Sequence, residues 1–315
     1  MSRGYDAGMR VVSLLPSATE VLCAIGAADL LVGRSHECDA PHSITDRPIL
    51  TSQRIQASGD GQSASGEIDT QVREALQRGE SLYVLDVDRL RELAPEVILT
   101  QDLCAVCSID LNTVRSVAAK MDPQPRIVSL NPHSIEDVFD DLLRVGEAVG
   151  REQDAERAMV SMRERYWTAR DYVNPYADGV EVAFLEWMDP LFVGGHWTPQ
   201  LIEAAGGRHS LNPAGATSRE VEPHELVGSL PERIIICPCG YDLAAIESEL
   251  PTLTGAEWWQ RLSAVRNGQV VMVDGNQMFN RPGPRLVDAY CWLVSWLNDR
   301  PDVPGVGDFP ARPIP

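Results

Sequence analysis

Lysine is almost missing from this chain: Lys120 is the only one, and arginine supplies every other basic side chain. Schiff-base chemistry and a phosphate-cradling P-loop both need a lysine in a special setting, and the segment around Lys120 offers neither. There is no Gly-x-Ser-x-Gly elbow, which excludes the usual hydrolase presentation of a serine nucleophile. No Gly-x-Gly-x-x-Gly follows a strand-like run, which excludes the dinucleotide fingerprint. No apolar run approaches transmembrane length, and Met1 to Arg10 lacks the basic-then-apolar pattern of a secretory signal. A cytoplasmic location without membrane insertion is the expectation.

Positive charge is also scarce overall. The formal charge of −19 works against nucleic acid and against an anionic membrane surface. With 315 residues, 44% of them hydrophobic and 23% charged, the chain is long enough for two globular lobes. In a reducing compartment its seven cysteines are expected as thiols or metal ligands rather than disulfides.

Strand-like and helix-like runs alternate along the sequence, which predicts an α/β class with mainly parallel sheets. Val11 to Leu15 reads as a buried strand, and Ser17-Ala18-Thr19-Glu20 as a capping box that opens a helix stopped by Gly26. Residues 52–66 read as a loop rich in Ser, Gly and Gln, and residues 68–78 as a helix. From Ser134 to Tyr172 no proline interrupts a helical pattern through Val138, Leu142, Val145, Val149 and Met159. One helix of that size would be ~57 Å long at 1.5 Å per residue, more than one lobe needs, so it is expected to connect two. The division expected is a lobe over 1–133, a connecting helix over 134–172, a second lobe over 173–300 and a Pro-rich tail without regular structure over 301–315.

Five cysteines fall just after strand-like runs, in His36-Glu37-Cys38, Cys104-Ala105-Val106-Cys107 and Cys237-Pro238-Cys239. In open α/β sheets that edge forms the binding crevice. Thiolates with imidazole suit zinc, iron, copper or a corrin cobalt, so His36, Cys38, Cys104, Cys107, Cys237 and Cys239 are candidate metal ligands. The Cys104/Cys107 spacing also matches a redox pair, and each cysteine separately matches a small core residue. Cys23 and Cys291 lie in helical runs with apolar neighbours and read as core.

Aromatic residues mark the second half. Glu186-Trp187 leaves a strand, His196-Trp197 follows a Gly-Gly turn, and Phe279 and Arg281 lie in a Pro-Gly-rich segment. Rings leaving strand ends suit a large flat ligand, with Arg281 for an acidic group; the competing reading is an aromatic packing surface.

Several linked motifs resemble the vitamin B12 and iron-siderophore substrate-binding proteins of ABC importers, class III. These are Arg10 to Glu20 with Gly26 and Val32-Gly33, Pro95 to Leu99, Ser129 to Ile135, Leu191 to Gly195, Ala204 to Gly207, and Arg281 to Arg285. The resemblance covers about residues 10 to 298 and is strongest to a leaderless branch described as cobalamin-binding. It implies two Rossmann-like α/β lobes joined by a single long α-helix, with the ligand in the cleft between lobes. It also implies that Cys38, Cys104, Trp187, His196, Cys239 and Phe279 face that cleft. The family's two acidic docking positions fall on Asp88 and on His224, with Glu225 beside it, and the histidine argues against docking to an ABC permease.

The expectation is therefore a cytoplasmic, non-enzymatic binding protein for a corrinoid (cobalamin-like) or related metal chelate, with cleft thiols available to the metal. Glu186, Trp187, His196, Trp197, Phe279 and Arg281 are its candidate ligand-binding residues. The alternatives are a protein binding zinc or an iron–sulfur centre directly through Cys and His, and a substrate-binding subunit of an ABC importer.

Overall fold

A computed structural model describes residues 8–54, 64–102 and 109–314. Strands and helices alternate through the first half: β1 (Val11–Ser13), α1 (Pro16–Ala24), β2 (Leu31–Arg34), β3 (Thr51–Gln53), α2 (Ala64–Gln77), β4 (Tyr83–Leu85), α3 (Val87–Leu93), β5 (Val97–Thr100), α4 (Leu111–Ala118) and β6 (Arg126–Ser129). Then come α5 (Ile135–Val149), α6 (Glu152–Arg170), β7 (Val180–Trp187), β8 (Phe192–Val193), α7 (Thr198–Ala204), β9 (Gly207–Arg208), β10 (Arg219–Glu220), α8 (Pro223–Gly228), β11 (Arg233–Ile236), α9 (Leu243–Glu249), β12 (Val270–Val273), a terminal helix (Leu286–Leu297) and β13 (Ala311–Pro313).

Of the described residues, 8–54, 74–102, 109–131 and 137–160 form one unit, and 64–73, 132–136 and 161–314 form another. Unit one has a four-stranded sheet in the order β2-β1-β5-β6, with every pair parallel. Parallel strands covered on both faces read as continuous apolar runs, as Val97-Ile98-Leu99 does. Val12, Leu14, Leu50, Leu90, Ile98 and Val114 fill the core on one side of it. Strand order reverses at β1, so the crevice expected of such sheets lies at the carboxyl ends of β1 and β5.

Unit two has a larger sheet, β10-β8-β7-β11-β12-β13, with β9 on the first residues of β7. β7, β11 and β12 run parallel, while β8, β10 and β13 are antiparallel additions. The isoleucine run of β11 is wholly buried, and the core beside it includes Leu185, Trp259 and Met272.

Three expectations need correction. The single helix over 134–172 is two helices. Gly150 takes a left-handed φ of +68°, and the Arg151 N–H closes on the Gly146 carbonyl at 2.8 Å. Gly at C′ ends a helix this way, and α6 restarts at once. A side chain on Gly146 would lie 2.3 Å from Ala155 Cβ, so the two helix ends pack closely. The capping box at Ser17 is absent: Leu15 is the N-cap without a side-chain bond, Pro16 supplies the first turn, and Thr19 Oγ1 donates back to the Leu15 carbonyl at 3.2 Å. The tail is not all irregular, because β13 adds to β12.

Candidate functional site

Each unit presents a strand-end loop carrying one of the expected histidines. In unit one the chain leaves β2 through Ser35 and His36. His36 Nδ1 meets Thr51 Oγ1 at 2.7 Å, and the Thr51 hydroxyl also reaches Ser35 Oγ at 3.0 Å. Tyr83 and Gln53 both donate to Glu37 Oε1, at 3.3 and 3.4 Å. His36 Nε2 is buried without a hydrogen-bond partner and lies 4.0 Å from Glu37 Oε1. Burial holds the His36 pKa below the usual histidine value, with Glu37 opposing, so the ring is neutral near pH 7.

In unit two the loop after β8 is fixed by its backbone. The His196 N–H donates to the Ala216 carbonyl at 2.6 Å, and the His196 carbonyl accepts from Gly215 at 2.8 Å. Gly195 before it has no room for a side chain, since a Cβ would sit 2.3 Å from the Ser218 nitrogen. His196 itself adopts φ +53°, a strained left-handed conformation for a histidine. Its ring stacks on Trp197 with centroids 5.5 Å apart and lies 6.1 Å from the ring of His133. Nδ1 is buried without a hydrogen-bond partner. Burial, and secondarily His133, lower its pKa, so this imidazole too is neutral near pH 7. Neutral imidazole is the form that binds metals.

The aromatic candidates divide. Trp187 is half-buried at the end of β7, edge-on to Tyr241 at 5.2 Å, with its indole N–H shared between the Ser65 carbonyl at 3.2 Å and the Asp189 carbonyl at 3.1 Å. Glu186 beside it accepts from Ser218 Oγ at 2.8 Å. Trp197 is buried and donates to the Phe279 carbonyl at 2.7 Å. Phe279 is a core residue, 1% exposed, in edge contact with Phe184, Trp292 and Phe309. The expectation that the rings of Trp197 and Phe279 meet a ligand is therefore corrected: their area is already spent on the interior. Arg281 is buried as well.

Among the described cysteines, Cys38 and Cys237 follow their strands and are buried. Cys38 is fully buried in unit one and receives the Thr19 hydroxyl at 3.1 Å. Cys237 is fully buried in unit two, with the Asn280 amide 3.6 Å from its sulfur. Burial, followed by the nearby acids Glu186 and Asp274, pushes the Cys237 thiol well above its ordinary range, the opposite of a ready thiolate. Cys239 is exposed. Cys23 and Cys291 are thiols pushed up to about 11, chiefly by burial, in keeping with core roles. Cys104 and Cys107 lie outside the described residues. Among the described residues no group of three or more His, Cys, Asp or Glu has the spacing to hold a metal ion. Also among the described residues, no helix is long and apolar enough to cross a membrane.

No protein-family model matches the chain. It is 22% identical over 285 residues to YvrC of Bacillus subtilis, an uncharacterised ABC transporter substrate-binding lipoprotein, covering 89% of this chain and 77% of that one. It is 24% identical over 299 residues to the vitamin B12-binding protein of Photorhabdus laumondii, covering 94% and 90%. Among solved structures it superposes on the apo form of RhuT, a periplasmic heme-binding protein of Roseiflexus, with a TM-score of 0.70 at 19% identity over 93% and 99% of the two chains. The chain has the class III substrate-binding fold. In that fold the two parallel-sheet cores are the shared part, and the cysteine-bearing loops were the part expected to distinguish this chain.

Sequence reading passed over several residues of this class III frame. Asn212 ties the loop from within, donating to the carbonyls of Gly194 at 3.2 Å and Thr217 at 2.9 Å. His133, not among the expected site residues, has its ring 6.1 Å from that of His196. Glu249 binds a backbone 184 residues away, at Ser65, which no local pattern signals.

Proposed function

We propose that this chain is a substrate-binding protein for a metal-bearing macrocycle, a corrinoid or heme, and that the His196 imidazole meets the metal. The observation that carries this reading is the His196 ring: neutral, half-buried, unpartnered at Nδ1, and aimed by a backbone bonded on both sides. Cobalt and heme iron both take imidazole. A loop fixed before the ligand arrives spends little binding energy on ordering itself. Trp187, half-buried at the end of β7, supplies a flat apolar face. Vitamin B12 in one relative's name and heme in RhuT's support this ligand class over a bare ion.

Titrating hydroxocobalamin and hemin into the protein tests it by absorption. A red-shifted band at micromolar ligand is expected, weakened about tenfold or more in His196→Ala, as loss of a metal ligand requires. Absence of binding by both ligands would refute the reading.

Two destinations are compatible with such a binder, and each has an observation behind it. Five described cysteines without a disulfide suit a reducing compartment and so the cytoplasm. Likeness to a substrate-binding lipoprotein favours service to an ABC importer at the cell surface. We favour the first; recovery of the native protein in the membrane or periplasmic fraction would reverse that choice.

A further inference from the structure

The first turns of α2, Ala64 to Arg73, belong to unit two, and two side chains of that unit converge on one residue of them. The Glu249 carboxylate accepts the Ser65 N–H with both oxygens, at 2.9 and 3.2 Å. Tyr241 donates its hydroxyl to the same carboxylate at 3.2 Å. Trp187 donates its indole N–H to the Ser65 carbonyl at 3.2 Å. Ser65 and Glu249 are both buried, and Ile68, one turn on, rests against the core of the unit.

The first N–H groups of a helix have no partner inside it, and a carboxylate placed there also meets the positive end of the helix dipole. Glu249 thus caps a helix far from it in sequence. Further along, Arg73 bridges Asp69 at 2.6 Å and Glu220 at 2.7 Å. Beside this second tie the packing opens. A hollow of about 530 Å³ lies between Gly66, Asp69, Thr70 and Arg73 on the helix and Asp189, Pro190 and Glu220 opposite. Ser65 and Arg73 are the polar ties at the two ends of the segment, and with a hollow beside the second its release leaves the sheet beneath intact.

We infer that Ala64–Arg73 is a strap, latched at Ser65 by Glu249 and at Arg73 by Glu220, which in its closed position holds the Trp187 indole and keeps a ligand off that ring. As to the ligand, this rests on the binding function proposed above. A macrocycle that stacks on Trp187 binds only the open fraction, so the strap lowers its apparent affinity by that fraction.

Ser65→Pro removes the latched N–H while keeping a residue that the first turn of a helix accepts. Glu249→Gln removes the charge and keeps the shape, which guards against a variant that fails to fold. Hydrogen-exchange mass spectrometry of the full chain is expected to show exchange over 66–73 about tenfold faster in both variants, with β7 and β11 unchanged. Hydroxocobalamin and hemin are expected to bind both variants about tenfold more tightly than the parent. Unchanged exchange in both variants overturns the latch. Faster exchange with equal or weaker binding overturns the gating of Trp187. If parent and variants alike bind neither macrocycle, the binding function falls and the gate with it, while the exchange result still decides the latch.

Discussion

The loop that carries His36 and the loop that carries His196 solve one problem in opposite ways. Both leave a strand, both bury a neutral imidazole, and both follow a glycine-containing strand end. The first is held by side chains: Thr51, Ser35, Glu37 and Tyr83 form a polar set around His36. The second is held mainly by backbone, through Ala216 and Gly215, with the Asn212 amide as its side-chain tie, and the His196 ring packs on Trp197 with its Nδ1 unbonded. Side-chain bonding engages one ring nitrogen of His36, Nδ1, whereas backbone bonding positions His196 without engaging its Nδ1. That difference is our ground for proposing His196, rather than His36, as the residue that meets the ligand.

The sharpest way to test the contrast is at the glycines. In Gly195→Ala the new Cβ meets the Ser218 nitrogen at 2.3 Å and the Ala216 carbonyl at 2.5 Å, neither of which can turn aside. In Gly33→Ala the nearest atoms are the ends of Leu93 and Leu50, at 2.7 and 2.8 Å. Chemical denaturation is expected to show a loss of about 3 kcal/mol at Gly195 and about 1 kcal/mol at Gly33, as overpacking against backbone exceeds overpacking against rotamers. Equal costs would mean that the second loop is as yielding as the first.

The thiols come next. Cys38 in the first loop is buried, and Cys239 beside the second sheet edge is exposed. Maleimide labelling followed by peptide mapping is expected to modify Cys239 about a hundredfold faster than Cys38 or Cys237, since access and thiolate character set the rate. Comparable rates would show that the strand-end interior opens.

A smaller effect separates the histidines directly. His36→Ala is expected to change macrocycle affinity less than twofold while costing about 1 kcal/mol of stability from the broken Thr51 bond. His196→Ala is expected to do the reverse, with about a tenfold loss of affinity and little change in stability. An exchange of these outcomes would move the ligand to the other loop.

The weakest effect is in pH. Both histidines have folded-state pKa values below the ordinary 6.5. Below 6.5 the unfolded chain therefore binds more protons than the folded one. Their contribution is complete above that pH and is lost as pH falls through it. Thermal unfolding between pH 7.5 and 5 is expected to show this decline, reduced in His36→Gln and in His196→Gln alike. A variant with an undiminished slope would show that its histidine does not titrate on unfolding.

Much of the frame was readable because buried parallel strands announce themselves: Val97-Ile98-Leu99 and the Ile234-Ile235-Ile236 run can hardly be anything else. The histidines at both loops were readable for a related reason, because strand ends fix where the following residues emerge. The break at Gly150 was hidden, since Val145 and Val149 keep helical spacing up to it and one glycine does not disturb a periodic pattern. Burial of the cysteines was hidden for a different reason. Position after a strand says where a residue emerges, but whether Thr19 or Asn280 lies over the sulfur depends on segments distant in sequence. The Glu249–Ser65 contact belongs to the same class.

The final strand also protects the molecule from its own kind. β13 pairs along β12 through Ala311, Arg312 and Pro313, occupying an edge that would otherwise offer a row of unmet amides. Pro310 and Pro313 have no N–H, so the new outer edge is a poor template for another strand. Trimming the chain after Asp308 would strip that guard and leave β12, an apolar four-residue run, open to edge-to-edge aggregation.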